Sequence, residues 1–214
     1  MTTILDFHTH NMNATSALIS VSPRQFNPQP GKWYSVGYHP WHDVDHLTDD
    51  DFTLLEQCAA HPQVLAIGET GMDSLRGAPI DIQAMVYVRH LELAARLNKP
   101  VVAHNVRTTQ EILTQRHRAG LDHVTLAIHG MRGNAHVART LIDAGCYLSY
   151  GLQFNSAALQ ATPLDRLLIE TDDAAISIHE VTTRIGENLH LPVNELVSIA
   201  SRNTARFLGL DTQQ

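Results

Sequence analysis

The sequence contains few of the residues that mark secreted, membrane or disordered chains. Its two cysteines, Cys58 and Cys146, form no Cys-x-x-Cys pair, so no disulfide framework is indicated and a reducing, cytoplasmic location is the simplest expectation. No stretch approaches the ~18 consecutive apolar residues of a membrane span. The first residues carry no basic segment, apolar run or small-residue cleavage site, so we expect no signal peptide. With only 9 prolines and 12 glycines in 214 residues, collagen-like and linker-rich classes are excluded.

Basic residues are also scarce. The chain has 15 Lys and Arg against 22 Asp and Glu, a formal net charge of −7. This balance argues against a broad surface that coats nucleic acid, which needs clustered cations. It leaves open a nucleic acid substrate, because bound metals can supply positive charge locally. The apolar fraction of 43% is that of a folded globular protein, and we predict a single domain over residues 1–214.

Short apolar runs alternate with segments of helical period along the chain. The runs cover residues 4–7, 17–21, 33–38, 64–67, 101–103, 124–128, 146–150 and 167–169. Helical segments are predicted at about 51–60, 81–97, 109–118 and 134–144, and after Pro192. Runs without alternation are typical of parallel strands buried on both faces. Eight of them separated by helices predict an α/β fold, a (β/α)8 TIM barrel.

The front of the chain is too short for a complete barrel of this kind. Six residues separate His10 from the second run, and the segment from Ser22 to Lys32 holds three prolines without a helical period. Parallel strands normally need a crossover of about a dozen residues. We therefore expect a distorted barrel with reduced helices after the first two strands.

What the sequence has in excess is histidine, with 14 residues, and several of these histidines follow predicted strands. Six metal-binding side chains stand at strand ends: His8, His10, Glu69, His104, His129 and Asp172. In a parallel barrel such ends converge on one face, where barrel enzymes keep their chemistry. His8 and His10 point to the same side of a strand because side chains alternate with period two.

These ligand types indicate a metal centre. Imidazole and carboxylate suit Zn, Mn or Fe, with Mg an option where carboxylates dominate. Four histidines and two carboxylates exceed the three protein ligands of a typical catalytic zinc, so we predict two divalent cations bridged by a carboxylate. His39 and Arg107 are candidate substrate contacts, with His39 favoured over His42. Glu170 is expected to point away from the partners of Asp172 or to form a structural pair.

The strand-end motifs resemble those of the TatD-related metal-dependent hydrolases, within the amidohydrolase-like barrels. The matching segments, in chain order, are Asp6-Phe7-His8-Thr9-His10, Gly37-Tyr38-His39-Pro40, Ile67-Gly68-Glu69-Thr70-Gly71-Met72-Asp73, Gln83, Pro100-Val101-Val102-Ala103-His104, His129-Gly130-Met131-Arg132-Gly133 and Ile169-Glu170-Thr171-Asp172. Seven such matches in order are far more specific than any one of them.

The resemblance implies a set of residue roles. His8, His10 and Asp172 would hold one cation, Glu69 would bridge to the second, and His104 and His129 would complete the second site. His39 would face the substrate phosphate. The chain departs from the family pattern after Asp172, where Asp173-Ala174 replaces the usual proline, and after His104, where Asn105-Val106-Arg107 is one residue longer than usual.

The leading functional hypothesis is a phosphodiesterase or deoxyribonuclease that acts from a 3′ end, with Asp172 and Glu69 as catalytic residues and Zn, Mg or Mn as cofactor. Asp172 would orient the attacking water and accept its proton, while His39 and Arg107 would offset phosphate charge. One alternative is hydrolysis of a small amide, lactone or phosphomonoester. Another is a metal-retaining protein without activity. A DNA substrate is the expected partner, with no membrane and no obligate protein partner.

Overall fold

The computed structural model describes residues 3–42 and 44–210, which form eight strands and seven α-helices. The strands are β1 (Asp6–Thr9), β2 (Ala17–Val21), β3 (Trp33–Val36), β4 (Val64–Asp73), β5 (Val101–Val106), β6 (Leu126–Ile128), β7 (Tyr147–Tyr150) and β8 (Leu167–Ile169). The helices are α1 (Asp49–Ala59), α2 (Ile80–Leu97), α3 (Thr109–Arg118), α4 (Ala135–Asp143), α5 (Ser156–Ala161), α6 (Ile178–Leu189) and α7 (Val193–Phe207).

The strands follow one another in chain order in a single sheet, from β1 to β8. The pairs β1–β2, β3–β4, β4–β5 and β7–β8 are parallel. The end of β1 also pairs with the segment after β8, through a parallel bridge between Thr9 and Asp172. This topology confirms the predicted α/β fold of the (β/α)8 TIM-barrel type, and every apolar run read from the sequence overlaps a strand.

The shortened front of the chain is also confirmed. Among the described residues, no helix separates β1 from β2. Only a short 3-10 helix, Pro23–Gln25, lies between β2 and β3. The proline-rich segment therefore connects its strands without a packed crossover helix.

Two helices, α5 and α6, were not predicted from the sequence. A capping box marks the start of α6, in which Ser177 Oγ accepts the Glu180 backbone N–H at 3.2 Å and Glu180 Oε2 accepts the Ser177 backbone N–H at 2.9 Å. The Ser-x-x-Glu spacing is a recognised signal for a helix start. The signal was therefore present in the sequence, while the six-residue α5 offers too short a period to detect.

The described residues group into two compact units. The first unit comprises residues 3–19 and 128–210 and contains β1, β7, β8 and α4 to α7. Its core includes the edge-to-face rings of Phe7 and Phe207, with centroids 5.1 Å apart. The second unit comprises residues 20–42 and 44–127, contains β3 to β5 and α1 to α3, and buries Tyr34, Tyr87 and Leu91 completely. The single domain over residues 1–214 stays a prediction.

The described helices include none that combines the length and apolar character required to cross a bilayer.

Candidate metal centre

In the first unit, five potential ligands gather at strand ends and are named here the His8 group. They are His8, His10, His129, Glu170 and Asp172. The sequence contributes them from three places: the end of β1, the residue after β6 and the turn that follows β8. The parallel strands carry these three places to the same edge, which explains how residues more than 160 positions apart come together.

The spacing between His8, His10 and Asp172 fits coordination of one cation. Asp172 Oδ1 lies 3.7 Å from His8 Nε2 and 3.6 Å from His10 Nε2. These separations exceed the ~2.9 Å of an ordinary hydrogen bond. Two ligand atoms that each lie ~2.1 Å from one ion are roughly 3.4–3.6 Å apart at tetrahedral or wider angles. The three side chains therefore fit a shared metal better than a hydrogen-bonded network.

The backbone fixes this arrangement. Asp172 donates its N–H to His8 O at 2.9 Å, and His10 donates its N–H to Asp172 O at 3.1 Å. Asp172 has a φ of +54°, in the left-handed region that a non-glycine residue adopts only where its surroundings impose it. The turn after β8 is therefore held in the conformation that directs the Asp172 carboxylate toward β1.

A buried carboxylate, that of Asp6, connects β1 to the turn after β8. Asp6 accepts the backbone N–H of Thr171 at 2.9 Å and its hydroxyl at 2.7 Å. Burial raises the pKa of Asp6 to about 6, although the Thr171 hydrogen bonds act in the opposite direction. Asp6 thus positions the residue that directly precedes Asp172.

His129 and Glu170 are two buried members of the His8 group. His129 Nδ1 lies 3.5 Å from Glu170 Oε1, which accepts the Gly130 N–H at 2.6 Å. Burial opposes ionisation of Glu170, but His129, followed by His8, outweighs it and lowers the pKa of this carboxyl. Glu170 is fully buried and clusters with His129 and Asp172. The expectation that it points away from the partners of Asp172 is therefore wrong, and the structural-pair alternative fits its contact with Gly130.

In the second unit, polar side chains from β4, β5 and the turn after β3 form what we name the His104 group. It comprises His39, Trp41, Glu69, Asp73 and His104. Glu69 is 3% exposed, and its Oε1 lies 2.8 Å from His39 Nε2 and 3.1 Å from His104 Nδ1. His39, Glu69 and His104 thus offer three ligand atoms within 4.8 Å of one another.

The second ring nitrogen of His104 contacts Asp73. His104 Nε2 lies 3.3 Å from Asp73 Oδ2, which also accepts the indole N–H of Trp41 at 2.8 Å. The backbone N–H of Leu75 donates to Asp73 Oδ1 at 2.7 Å. Burial alone would raise the pKa of Asp73, but the hydrogen bonds from Leu75, Trp41 and His104 together keep it below its usual value.

The β4 end that carries Asp73 is held by Gln83, at the start of α2. Gln83 Oε1 accepts the Asp73 N–H at 2.7 Å, and its amide donates to the carbonyls of Asp73, Arg76 and Ala78. Gly71 permits close approach to β5, because a Cβ there would lie 2.1 Å from His104 O. Asp73 and Gln83 appeared in the sequence only as parts of a motif, without a role.

Arg107 and His42 are exposed residues outside the His104 group. Arg107 follows β5, has a φ of +56° and is exposed. Within the described ranges, it forms no ion pair with a carboxylate. His42 is exposed, with its ring centroid 5.2 Å from that of His39. Arg107 therefore remains a candidate for a substrate anion.

The donor sets suit divalent cations. Each unit holds imidazole nitrogens and carboxylate oxygens within 4.8 Å of one another, and His8, Glu69, His104, His129 and Glu170 are all buried. Concentrated buried imidazoles and carboxylates without a cation would carry a large desolvation cost. The mixture of nitrogen and oxygen donors accommodates Zn, Mn or Mg.

Comparison with known proteins agrees with this chemistry. The TatD related DNase family matches residues 12–209, a range that begins just after the His8-Thr9-His10 motif. The chain is 30% identical over 198 residues to the uncharacterized metal-dependent hydrolase YabD of Bacillus subtilis, covering 83% of this chain and 77% of YabD. It is 32% identical over 166 residues to the 3′-5′ ssDNA/RNA exonuclease TatD of Cronobacter turicensis, covering 72% of this chain and 62% of that protein.

Among solved structures, YjjV, a TatD homolog from Escherichia coli K12, superposes with a TM-score of 0.80. The match covers 96% of this chain and 97% of YjjV at 19% identity, so it supports the fold alone. The family match, the relatives and the buried ligand sets agree: the chain belongs to the TatD-related DNase family of metal-dependent hydrolases.

Proposed function

We propose that the protein is a two-metal phosphodiesterase that removes nucleotides from the 3′ end of a single-stranded nucleic acid. The observation that carries this proposal is the spacing of Asp172 Oδ1 from His8 Nε2 and His10 Nε2, 3.7 and 3.6 Å, which fits a cation held beside a partly exposed carboxylate. The 3′-5′ exonuclease of Cronobacter turicensis supports the choice of substrate. The ligand roles predicted from the sequence, two divalent cations as cofactor and a cytoplasmic location are parts of the proposal.

When bound, the cations supply Lewis-acid stabilisation of phosphoryl oxygens and make a water acidic enough to attack near neutral pH. Asp172 is the proposed base, because its side chain is 24% exposed and can pass a proton on to solvent. His8 and His10 lie on one side of the Asp172 carboxylate, and backbone hydrogen bonds to His8 and His10 hold the turn that carries it. Asp172 is thus pre-positioned to orient a water and accept its proton.

Binding of the substrate phosphate requires positively charged side chains or hydrogen-bond donors that offset its negative charge. His39 and the exposed guanidinium of Arg107 are the groups proposed to offset the charge of the phosphate, and an arginine can contact a phosphate through two parallel hydrogen bonds. The first unit offers a further positively charged side chain, that of Arg132. A cavity of about 80 Å³ beside Asp172 is lined by Arg132 and Gln153. We propose that this cavity receives a phosphoryl group of the nucleotide strand.

The test uses chelated protein that is re-supplied separately with Mg, Mn or Zn. The substrates are single-stranded DNA labelled at its 5′ end, the same strand with a blocked 3′ end, a small phosphodiester, a phosphomonoester, a lactone and an amide. We expect stepwise shortening of the free strand and no shortening of the blocked strand. Turnover of the lactone, amide or phosphomonoester without cleavage of either phosphodiester would overturn the proposal in favour of a small-molecule hydrolase.

A further inference from the structure

Two histidines flank the same oxygen of Glu69, but their other contacts assign the ring proton differently. His39 Nδ1 accepts the backbone N–H of Trp41 at 3.1 Å. A ring nitrogen that accepts a hydrogen bond carries no proton, so the proton of neutral His39 is on Nε2. That atom lies 2.8 Å from Glu69 Oε1. His39 is therefore arranged as a proton donor toward Glu69.

His104 has the opposite arrangement. Its Nε2 lies 3.3 Å from Asp73 Oδ2, and an ionised carboxylate only accepts hydrogen bonds. The proton of neutral His104 is therefore on Nε2, which leaves the lone pair of Nδ1 directed at Glu69 Oε1, 3.1 Å away. Two electron-rich atoms at this separation repel each other unless a cation lies between them, and both can lie ~2.1 Å from one ion.

The ring orientation of His104 is fixed by the same contacts. Rotating the imidazole by half a turn about Cβ–Cγ would place a carbon opposite Asp73 Oδ2 and another opposite Glu69 Oε1. Both nitrogen contacts would then be lost. The observed orientation is the one in which each ring nitrogen faces a carboxylate oxygen.

Asp73 is itself held rigidly. Its Oδ2 accepts the Trp41 indole N–H at 2.8 Å, and its Oδ1 accepts the Leu75 N–H at 2.7 Å. Gln83 binds both the N–H and the carbonyl of Asp73. Asp73 is buried, at 4% exposed. These donors make Asp73 a stable acceptor for His104 Nε2.

We propose that Asp73 is a positioning residue: it holds His104 in the Nε2–H form and so makes Nδ1 the metal-binding nitrogen, while the Trp41 peptide keeps His39 a hydrogen-bond donor. A carboxylate that fixes a metal-ligating histidine in this way also raises the basicity of the ligand. The inference rests on the metal binding by Glu69 and His104 that the proposed function includes. It adds a role for two residues, Asp73 and Gln83, that lie outside the ligand set.

The experiment compares Asp73→Ala, which removes the acceptor, with Asp73→Asn, which retains one acceptor oxygen. Asp122→Asn is the matched control, because Asp122 Oδ2 lies 2.8 Å from His117 Nδ1 in an exposed pair of the same unit. Nitrogen-15 NMR of the metal-free protein identifies the protonated ring nitrogen of His104, with His104→Gln used to assign its signals. Zinc affinity is then measured by competition with a chromogenic chelator.

We expect His104 to carry its proton on Nε2 in the unsubstituted protein and to exchange between both forms in Asp73→Ala. Zinc affinity should fall roughly 10- to 100-fold in Asp73→Ala and less in Asp73→Asn, with no change in Asp122→Asn. Trp41→Phe, which removes one donor to Asp73, should give a smaller loss and serves if Asp73→Ala does not fold. A His104 proton on Nδ1, or unchanged zinc affinity in folded Asp73→Ala, would overturn the inference.

The NMR measurement needs neither metal nor substrate. Absence of nuclease activity together with the expected His104 signals would therefore refute the proposed function and leave the role of Asp73 supported. The reverse result, nuclease activity with an Nδ1 proton on His104, would refute only the positioning role.

Discussion

His90 accepts the backbone N–H of Tyr38 on its Nε2 at 3.0 Å. Its Nδ1 donates to Val86 O at 2.7 Å, so both ring nitrogens are used and the ring is neutral. Burial lowers the pKa of His90 to about 4, against the opposing hydrogen bond to Val86. A buried histidine of α2 thus anchors Tyr38, the residue that directly precedes His39.

Because His90 is buried as the neutral ring, the free energy of unfolding should depend on pH. The pKa of His90 is depressed from about 6.5 to about 4, so the neutral ring stabilises the fold fully above pH 6.5, and that stability is lost as pH falls through 4. Between pH 6.5 and 4 this lowers the free energy of unfolding by about 3 kcal/mol. In urea unfolding at a series of pH values, His90→Gln should be less stable at pH 7 but lose less between pH 6.5 and 4. The control His123→Gln changes an exposed histidine, and its free energy of unfolding should vary with pH as in the unsubstituted protein. The same pH dependence in His90→Gln would refute the depressed pKa of His90.

A second pH effect is predicted at the start of α1. Asp51 accepts the Thr48 N–H at 2.9 Å and pairs with Arg24 at 2.7 Å. The Thr48 backbone hydrogen bond and Arg24 lower the pKa of Asp51 to about 2, so its contribution is present above ~3.9 and lost as pH falls through 2. Asp51→Asn should lower the free energy of unfolding by about 1 kcal/mol at pH 6 and by clearly less at pH 2, where the Asp51 carboxyl is partly protonated. Thermal unfolding checks this, with Asp50→Asn as the control; an equal cost at both pH values would contradict it.

Replacing His129 with alanine should abolish turnover without unfolding the chain. His129 offers a potential ligand nitrogen beside Glu170, with its ring centroid 4.2 Å from that of His8. Because His129 is a proposed ligand, its loss would remove a donor from this buried cluster. Hydrolysis of a phosphodiester and circular dichroism are measured together. His136→Ala, an exposed histidine of α4, should retain full activity. A folded and active His129→Ala protein would exclude this residue as a required ligand.

Arg107→Ala should raise KM for a phosphodiester. A hydrogen bond between charged groups contributes about 1.5–3 kcal/mol, which corresponds to roughly a 10- to 150-fold effect. Steady-state kinetics on the same substrate provide the measurement, with Arg118→Ala at the exposed end of α3 as the control. Identical KM values for Arg107→Ala and Arg118→Ala would remove Arg107 from the substrate site.

The sequence was sufficient for the strands because runs such as 101–103 are apolar without alternation. It also predicted that His8, His10 and Asp172 would lie close together, because parallel strands bring their ends together; their role as ligands stays a prediction. It was insufficient for Asp73, whose role depends on which nitrogen of His104 faces it, a contact across 31 positions. For Glu170, only the structural-pair alternative fits, and the expectation that it points away from the partners of Asp172 failed for a related reason. Its side chain turns toward Gly130 N and His129, and period-two alternation in a strand does not predict that contact.

We propose that two divalent cations, held by His8, His10, Glu69, His104, His129 and Asp172, drive phosphodiester hydrolysis. The direct test strips the protein of metal and titrates Mn or Zn back while the shortening of 5′-labelled single-stranded DNA and the bound metal are measured on the same sample. The account predicts negligible activity in the stripped protein and full activity only as the second equivalent binds. Undiminished activity in the stripped protein, or full activity at one equivalent, would contradict it.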